Sequence, residues 1–422
     1  MSKLPFVIFL LAPLFTLTVS ADTVLLKNAK IITSSELGIL SKGDILIEDD
    51  KIIQVAQSIS APKQAKIIDL TGMTVTPGFI NAESNLGIRE ISGGANASET
   101  STNDASFTAA FNVADIVNPY STAIPVARRG GVTSVIVAPS SNKHSHFSGQ
   151  AAWYTLDDSN ETAWIESAKG VFWDFRAVSE GRGATLPRLR AELANVATYA
   201  RSKKSFSKEE LHAKDWSIFD LDALVPVIKG KVPLAVRVNR ATDISAIIDI
   251  NSKYKTNPII VGAAEGWMIA SQLAAANIPV LIDPTANLPR NFDMLNAAND
   301  NAVLLYQAGV KLIIGGPTTA HDAGKLRYFA GIAVANGLPY EAAIQAITVN
   351  VADVWGLANV GQLSPGKRAD IAIWDGDPLE PITQINGLYI AGKLQSLETR
   401  QDKLEQNYIP EATNVYANGS IK

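Results

Sequence analysis

Apolar and polar positions change rhythm twice along the chain. From residue 22 to 76, short apolar runs such as Thr23-Val24-Leu25-Leu26, Ala29-Lys30-Ile31-Ile32-Thr33 and Gly43-Asp44-Ile45-Leu46-Ile47 are punctuated by Asn, Asp, Gly and Ser, which predicts short strands. Glu48-Asp49-Asp50-Lys51 lies between two such runs and predicts a hairpin turn, so this part reads as a small antiparallel unit. From about 77 to 355 the pattern alternates. Near-continuous apolar runs at 131–137, 232–238, 258–261, 278–282 and 310–314 predict strands buried on both faces. Helical spacing over 186–202, 244–253, 265–275 and 323–336 separates them. That alternation predicts an α/β fold with a parallel sheet closed as a TIM-type (β/α)8 barrel. Beyond 355 the strand pattern returns at 370–374 and 387–393.

Composition narrows the function classes. The chain has 422 residues, 47% hydrophobic and 18% charged, with a net charge of -4. That is the make-up of an ordinary globular protein with a large core, and it lacks the basic footprint of a nucleic-acid binder. There are no cysteines, which excludes disulfides, thiolate metal sites and a cysteine nucleophile. Met1-Ser2-Lys3, an apolar stretch from Phe6 to Phe15 and the small residues Val19-Ser20-Ala21 predict a secretory signal peptide cleaved near Ala21. An uncleaved anchor is the alternative, but Pro13 interrupts a stretch already shorter than the roughly 20 residues of a membrane-spanning helix. The expectation is a periplasmic or secreted protein with no membrane contact after cleavage. Residues 92–106, rich in Ser, Gly, Asn and Thr, read as a loop.

Two segments carry a resemblance. Pro77-Gly78-Phe79-Ile80-Asn81-Ala82-Glu83-Ser84-Asn85-Leu86-Gly87 resembles the end of the first barrel strand in metal-dependent amidohydrolases, Pro-Gly-Phe-Ile-Asp-x-His-x-His. Gly361-Gln362-Leu363-Ser364-Pro365-Gly366-Lys367-Arg368-Ala369-Asp370-Ile371, extended by Trp374-Asp375-Gly376-Asp377-Pro378-Leu379, resembles the signature near the C-terminus of the same superfamily. The resemblance spans nearly all of the chain after residue 21 and is nearest the imidazolonepropionase-like branch. It implies a barrel at 77–355, a composite β-sandwich built from 22–76 plus 356–395, and a C-terminal tail at 396–422. It also implies an ancestral activity, hydrolysis of non-peptide C–N bonds by water activated on zinc or another divalent metal.

The metal-ligand positions implied by the resemblance hold other residues. The strand 1 histidines are replaced by Glu83 and Asn85. Val236-Arg237-Val238-Asn239-Arg240-Ala241-Thr242-Asp243-Ile244 resembles the branch's strand 5 segment, with Arg237 and Asn239 where histidines stand. Gly262 takes the strand 6 ligand position, and Pro317 falls where strand 8 carries an aspartate; Asp322 lies too far along. The expectation is therefore no metal cofactor, with Glu83, Asn85, Arg237, Asn239, Gly262 and Pro317 lining the former metal pocket. Glu83 is the candidate catalytic residue. Beside Arg237 it could bind a zwitterion or do acid–base work, or the two could form an internal salt bridge filling the cavity.

Other residues offer weaker sites. His144 and His146 follow the second barrel strand and read as solvated loop histidines. His212 sits in a charged stretch, and His321-Asp322 reads as a pair that orients the loop after strand 8. Glu83 with Glu265 would make a weak oxygen site for Ca²⁺ or Mg²⁺. Trp153-Tyr154 and Phe172-Trp173-Asp174-Phe175 line either a ligand pocket or, as is commoner for aromatics, the core. Ser-x-x-Lys recurs along the chain, as at Ser140/Lys143, Ser205/Lys208, Ser252/Lys255 and Ser364/Lys367, and carries no signal, and no Gly-x-Ser-x-Gly or phosphate-loop motif is present. Three functions stay open: an exported protein that has lost metal-dependent hydrolysis and binds a small molecule or serves as a partner subunit, a working amidohydrolase acting on a cyclic amide or dipeptide-like C–N bond through a rebuilt site, and an assembly component. The partners left are a small molecule, a second copy of the chain or a related amidohydrolase.

Overall fold

The computed structural model describes residues 22–90, 98–158, 165–178, 181–201, 217–316 and 318–408. The signal-peptide segment, His212, Pro317 and the tail beyond 408 lie outside the described residues. The first three strands, β1 (Thr23–Ile32), β2 (Ile39–Glu48) and β3 (Lys51–Ala56), form an antiparallel meander. The next two, β4 (Lys66–Asp69) and β5 (Thr74–Pro77), run parallel to β1. The N-terminal unit is thus mixed, not purely antiparallel as the short apolar runs suggested. Strand runs alone carry no information on direction when the connection between two of them can cross back.

Eight strands make the barrel sheet: β6 (Phe79–Ser84), β7 (Val132–Val137), β8 (Phe147–Thr155), β9 (Ile165–Asp174), β10 (Leu234–Val238), β11 (Ile259–Gly262), β12 (Val280–Ile282) and β13 (Leu312–Ile314), paired in that order. Seven run parallel. The departure from the expected all-parallel sheet is β8, antiparallel to both neighbours. It returns directly from β7 across a short loop, with no crossover helix between them. Alternate residues divide between two layers. Ile80, Ile136, Ala151, Phe172, Ala235, Val261, Leu281 and Ile313 point inward to one cluster. Phe79, Val135, Val236, Ile260 and Val280 face the helices. Each of the Val, Leu, Ile and Phe side chains among them, fully buried, contributes about 1.5–3 kcal/mol. Trp355 stacks on Phe172 with ring centroids 5.9 Å apart and belongs to the inward cluster; it plugs the end where the parallel strands begin.

The chain returns to the first sheet through β14 (Ile371–Trp374), β15 (Ile385–Ile390) and β16 (Lys393–Leu394), with β14 antiparallel to β5. Both ends of the described chain therefore share one continuous eight-stranded sheet. Its far strand is brought back on itself where Lys51 bridges Arg368, enclosing Leu26, Ile31, Ile45, Ile52, Ile371 and Ile373. Among the described residues no helix is long and apolar enough to cross a membrane.

The tail docks on the barrel. Arg128 and Arg129 donate to the carbonyls of Ser396 and Leu397, and Arg129 pairs with Asp402. Thr399 opens the helix Arg400–Tyr408 with a reciprocal cap: the Asp402 N–H donates to its hydroxyl, and its own N–H and hydroxyl donate to the Asp402 carboxylate. The Thr399 backbone N–H and hydroxyl, then Arg129, hold the Asp402 carboxyl below its usual 3.8. A depressed folded value stabilises docking above the unfolded value and loses that effect as pH falls through the folded one. Amide exchange over Arg400–Tyr408 is therefore expected to rise as pH drops below 3.8 while barrel amides stay protected. Thr399→Ala, which removes about 1 kcal/mol of capping, should move that release to higher pH; an unchanged profile would count against the cap.

Candidate functional site

The parallel strands deliver their last residues to one end, where barrel chemistry is built. Along β6 the pairing register with β7 shifts between Asn81 and Ser84. This break in alternation lets Ala82 join the barrel interior while its neighbour Glu83 also reaches inward. Opposite it, Arg237 is the inward residue of β10, one pleat beyond Ala235. Its Nε donates to Glu83 Oε1 at 2.8 Å and its Nη2 to the Pro139 carbonyl at 2.7 Å. The guanidinium lies over the Phe172 ring, 4.4 Å from its centroid. Its third nitrogen, Nη1, is buried without a hydrogen-bond partner. Both side chains are mostly buried, 19% exposed for Arg237 and 10% for Glu83. The two therefore form an internal ion pair at the barrel mouth.

The remaining ligand positions serve the backbone. Asn85 donates from Nδ2 to the Ala138 carbonyl at 3.0 Å, and its N–H donates to the Thr318 carbonyl at 2.7 Å. Asn239 Oδ1 accepts from Ala264 N at 3.3 Å. Gly262 has φ of +101°, and a Cβ there would lie 2.6 Å from Asn239 Oδ1, so a side chain at this position conflicts with Asn239. Glu265 does not join Glu83 in an oxygen site, contrary to that expectation. It sits at the turn after β11, where its Oε2 accepts from Ala241 N and its Oε1 from Asn296 N and Nδ2, which ties two loops together.

The histidines divide. His144 is exposed, as expected of a loop residue. His146 is not solvated: it is 1% exposed, with Nδ1 2.8 Å from the Asp174 carbonyl and its ring centroid 5.2 Å from that of Trp173. The physical reason is β8. Its antiparallel pairing with β9 extends back to His146, whose carbonyl accepts from Asp174 N, so the residue is drawn into the sheet. His321 is largely exposed with Nε2 3.3 Å from Asp322, and Thr319 and Lys325 also bind that carboxylate. The aromatics belong mainly to the core. Tyr154 is fully buried and burial pushes its hydroxyl up to about 12; Phe175 alone of these lines the mouth.

Around Arg237 the mouth opens into a cleft of about 480 Å³ whose walls include Asp174, Phe175, Arg176, Asn239, Gly262 and Asp293. Arg176 and Arg182 both pair with Asp293, and Arg182 also reaches Asp243 at 2.8 Å. Ser141 donates to the Asp174 carboxylate. These charged walls carry no sequence motif, although Asp243 lies within the strand 5 segment already singled out. A larger groove of about 600 Å³ lies at the other end of β9 to β12, lined by Lys169, Pro233, Pro258, Pro279 and Trp355. That is the stability face of a barrel, remote from every ligand position.

A divalent cation does not fit the residues present. It requires deprotonated ligands with free lone pairs, and a guanidinium offers none. Arg237 occupies a strand 5 position, Gly262 brings no side chain, and Asn239 and one oxygen of Glu83 are engaged. Among the described residues no three His, Cys, Asp or Glu side chains converge as a metal site would need.

The amidohydrolase family model matches residues 279–395. The chain is 24% identical to amidohydrolase tasK of Hapsidospora irregularis over 383 residues, 80% of this chain and 38% of that one. It is 25% identical to an adenine deaminase of Ligilactobacillus salivarius, covering 92% of this chain and 60% of the relative. It thus spans less than two thirds of the length of either. Among solved structures, an amidohydrolase from Thermotoga maritima superposes with a TM-score of 0.78 at 26% identity, over 88% of this chain and 99% of the other. With its family match over residues 279–395, its barrel and its composite terminal sheet, the chain resembles the amidohydrolase superfamily.

Proposed function

We propose that this is an exported amidohydrolase-superfamily protein that binds a small polar molecule at the barrel mouth and does not hydrolyse C–N bonds through a divalent metal. One observation carries the reading: Arg237 stands at a ligand position with two of its three nitrogens bonded to Glu83 and Pro139. A fixed positive charge there opposes a cation electrostatically as well as sterically. Replacement of the ligands as a set is coherent, because a single buried carboxylate or imidazole left behind would be unpaired. The cleft of about 480 Å³ falls within the usual size range of small-molecule sites. The relatives' substrates are not carried over, since specificity in barrels resides in their loops.

Elemental analysis of protein purified without chelators tests this. The expected result is sub-stoichiometric zinc, manganese and iron, with ligand binding indifferent to EDTA, and an intact mass that starts near Asp22. Stoichiometric metal that disappears in Glu83→Gln or in His144→Ala/His146→Ala would overturn the proposal. Metal-free protein that hydrolyses an amide, and stops on Glu83→Gln, would move the reading to catalysis through a rebuilt site.

A further inference from the structure

We propose that the molecule held at this mouth is a compact zwitterion, with a carboxylate and an ammonium on the same or adjacent carbons, as in a free amino acid. The inference rests on the reading just given and names the ligand. Arg237 and Glu83 are themselves a zwitterion, fixed by the 2.8 Å contact between Nε and Oε1. Arg237 keeps Nη1 as a buried donor without a partner, and only one oxygen of Glu83 is used by the guanidinium. A buried donor on a charged group without a partner is unfavourable, so an acceptor brought to Nη1 restores that loss.

Charge balance then selects the ligand. A lone anion placed beside Arg237 is attracted to the guanidinium and repelled by Glu83 a few ångströms away; a lone cation meets the reverse. At this buried pair either leaves one uncompensated charge, since Arg176 and Arg182 in the wall are already matched by Asp293 and Asp243, and Asp174 accepts from Ser141. A molecule carrying both charges at short separation sets its carboxylate against Arg237 and its ammonium against Glu83. The four charges then alternate in sign and sum to zero. The Phe172 ring covers one face of the guanidinium. At the rim, Phe292 lies between two cleft residues, Asn291 and Asp293, and is 79% exposed, with Leu288 67% exposed nearby in the same loop. An apolar side chain on the ligand would cover this surface.

Titration calorimetry with L-leucine, leucinamide and N-acetylleucine tests the proposal. The amide lacks the carboxylate and the acetyl compound lacks the ammonium, with shape otherwise kept. Saturable binding of leucine is expected, with each of the other two at least about tenfold weaker. Glycine and β-alanine extend the test to zwitterions without the apolar branch. In Glu83→Gln, a shape-conserving change, the preference should move from leucine toward N-acetylleucine, because the ammonium has lost its partner and the positive charge of Arg237 is unopposed. A thermal melt and circular dichroism establish that the variant is folded. Equal binding of leucine and either derivative overturns the proposal. So does the absence of saturable binding by all three zwitterions, or an unchanged preference in folded Glu83→Gln. None of these outcomes bears on metal content, so the ligand class can fail while the metal-free reading stands.

Discussion

Arg237→Met is expected to lower the unfolding free energy by about 3–5 kcal/mol, the cost of leaving one member of a buried ion pair behind. Glu83 is 8% exposed, too enclosed to regain water at that position. The same change also removes the donor to Pro139 and the group stacked on Phe172. Glu83→Leu/Arg237→Met should recover most of the loss, since an apolar pair of similar volume carries no unpaired charge. Urea denaturation of the two variants measures both terms. If the single variant stays within about 1 kcal/mol of the parent, which is the range of an exposed pair, then the pair does not hold the cavity closed and its buried geometry means little. Recovery in the double variant would identify the pair as a filler of the barrel mouth that is not itself required for folding.

Gly130→Ala is expected to cost about 3 kcal/mol, the upper end of what overpacking usually produces. Gly130 follows the helix Ile124–Arg129, and a Cβ there would lie 2.0 Å from the Gly324 carbonyl oxygen and 2.5 Å from its Cα. Gly324 is held equally tightly, since its own Cβ would lie 2.8 Å from the Val126 carbonyl oxygen. Backbone faces backbone, so no flexible side chain can yield. The displaced segment is the 3-10 turn Ala320–Lys325, just after Thr318, whose carbonyl accepts from Asn85 N. The change should therefore weaken ligand binding as well as stability. Gly183→Ala, where a Cβ meets nothing within 4 Å inside the helix Arg182–Arg201, is the control; it should be neutral or stabilising by up to about 1 kcal/mol. Equal melting temperatures for the two variants would show that the close approach of Gly130 and Gly324 is not rigid.

The barrel was legible because both its signals are local. Runs such as Val132–Val137 and Ile259–Gly262 are apolar on both faces, and helical spacing between the runs requires parallel crossovers. The antiparallel β8 was not legible from that rhythm. Nothing in the composition of Phe147–Thr155 tells strand direction, and its one turn-type dipeptide, Ser148-Gly149, falls inside the strand. The burial of His146 followed from that missed pairing. Glu265 went astray differently: a carboxylate near a ligand position reads as a ligand until the loops at Ala241 and Asn296 are seen to converge on it.

The sequence by itself determined the resemblance to the superfamily, the composite arrangement of the two chain ends and which residues stand at the expected ligand positions. Each of these depends on residue identity at positions fixed by a strand frame, as Pro77-Gly78-Phe79-Ile80 fixes Glu83. Only the tertiary structure decided how those residues pair. Glu83 and Arg237 are separated by 154 positions, and the Asp293 wall of the cleft comes from a third segment. Whether such groups pair, stack or stay apart depends on the closure of the sheet and on one register shift in β6. Closure sets distances of a few ångströms, and electrostatic pairing at that range has no trace in local sequence.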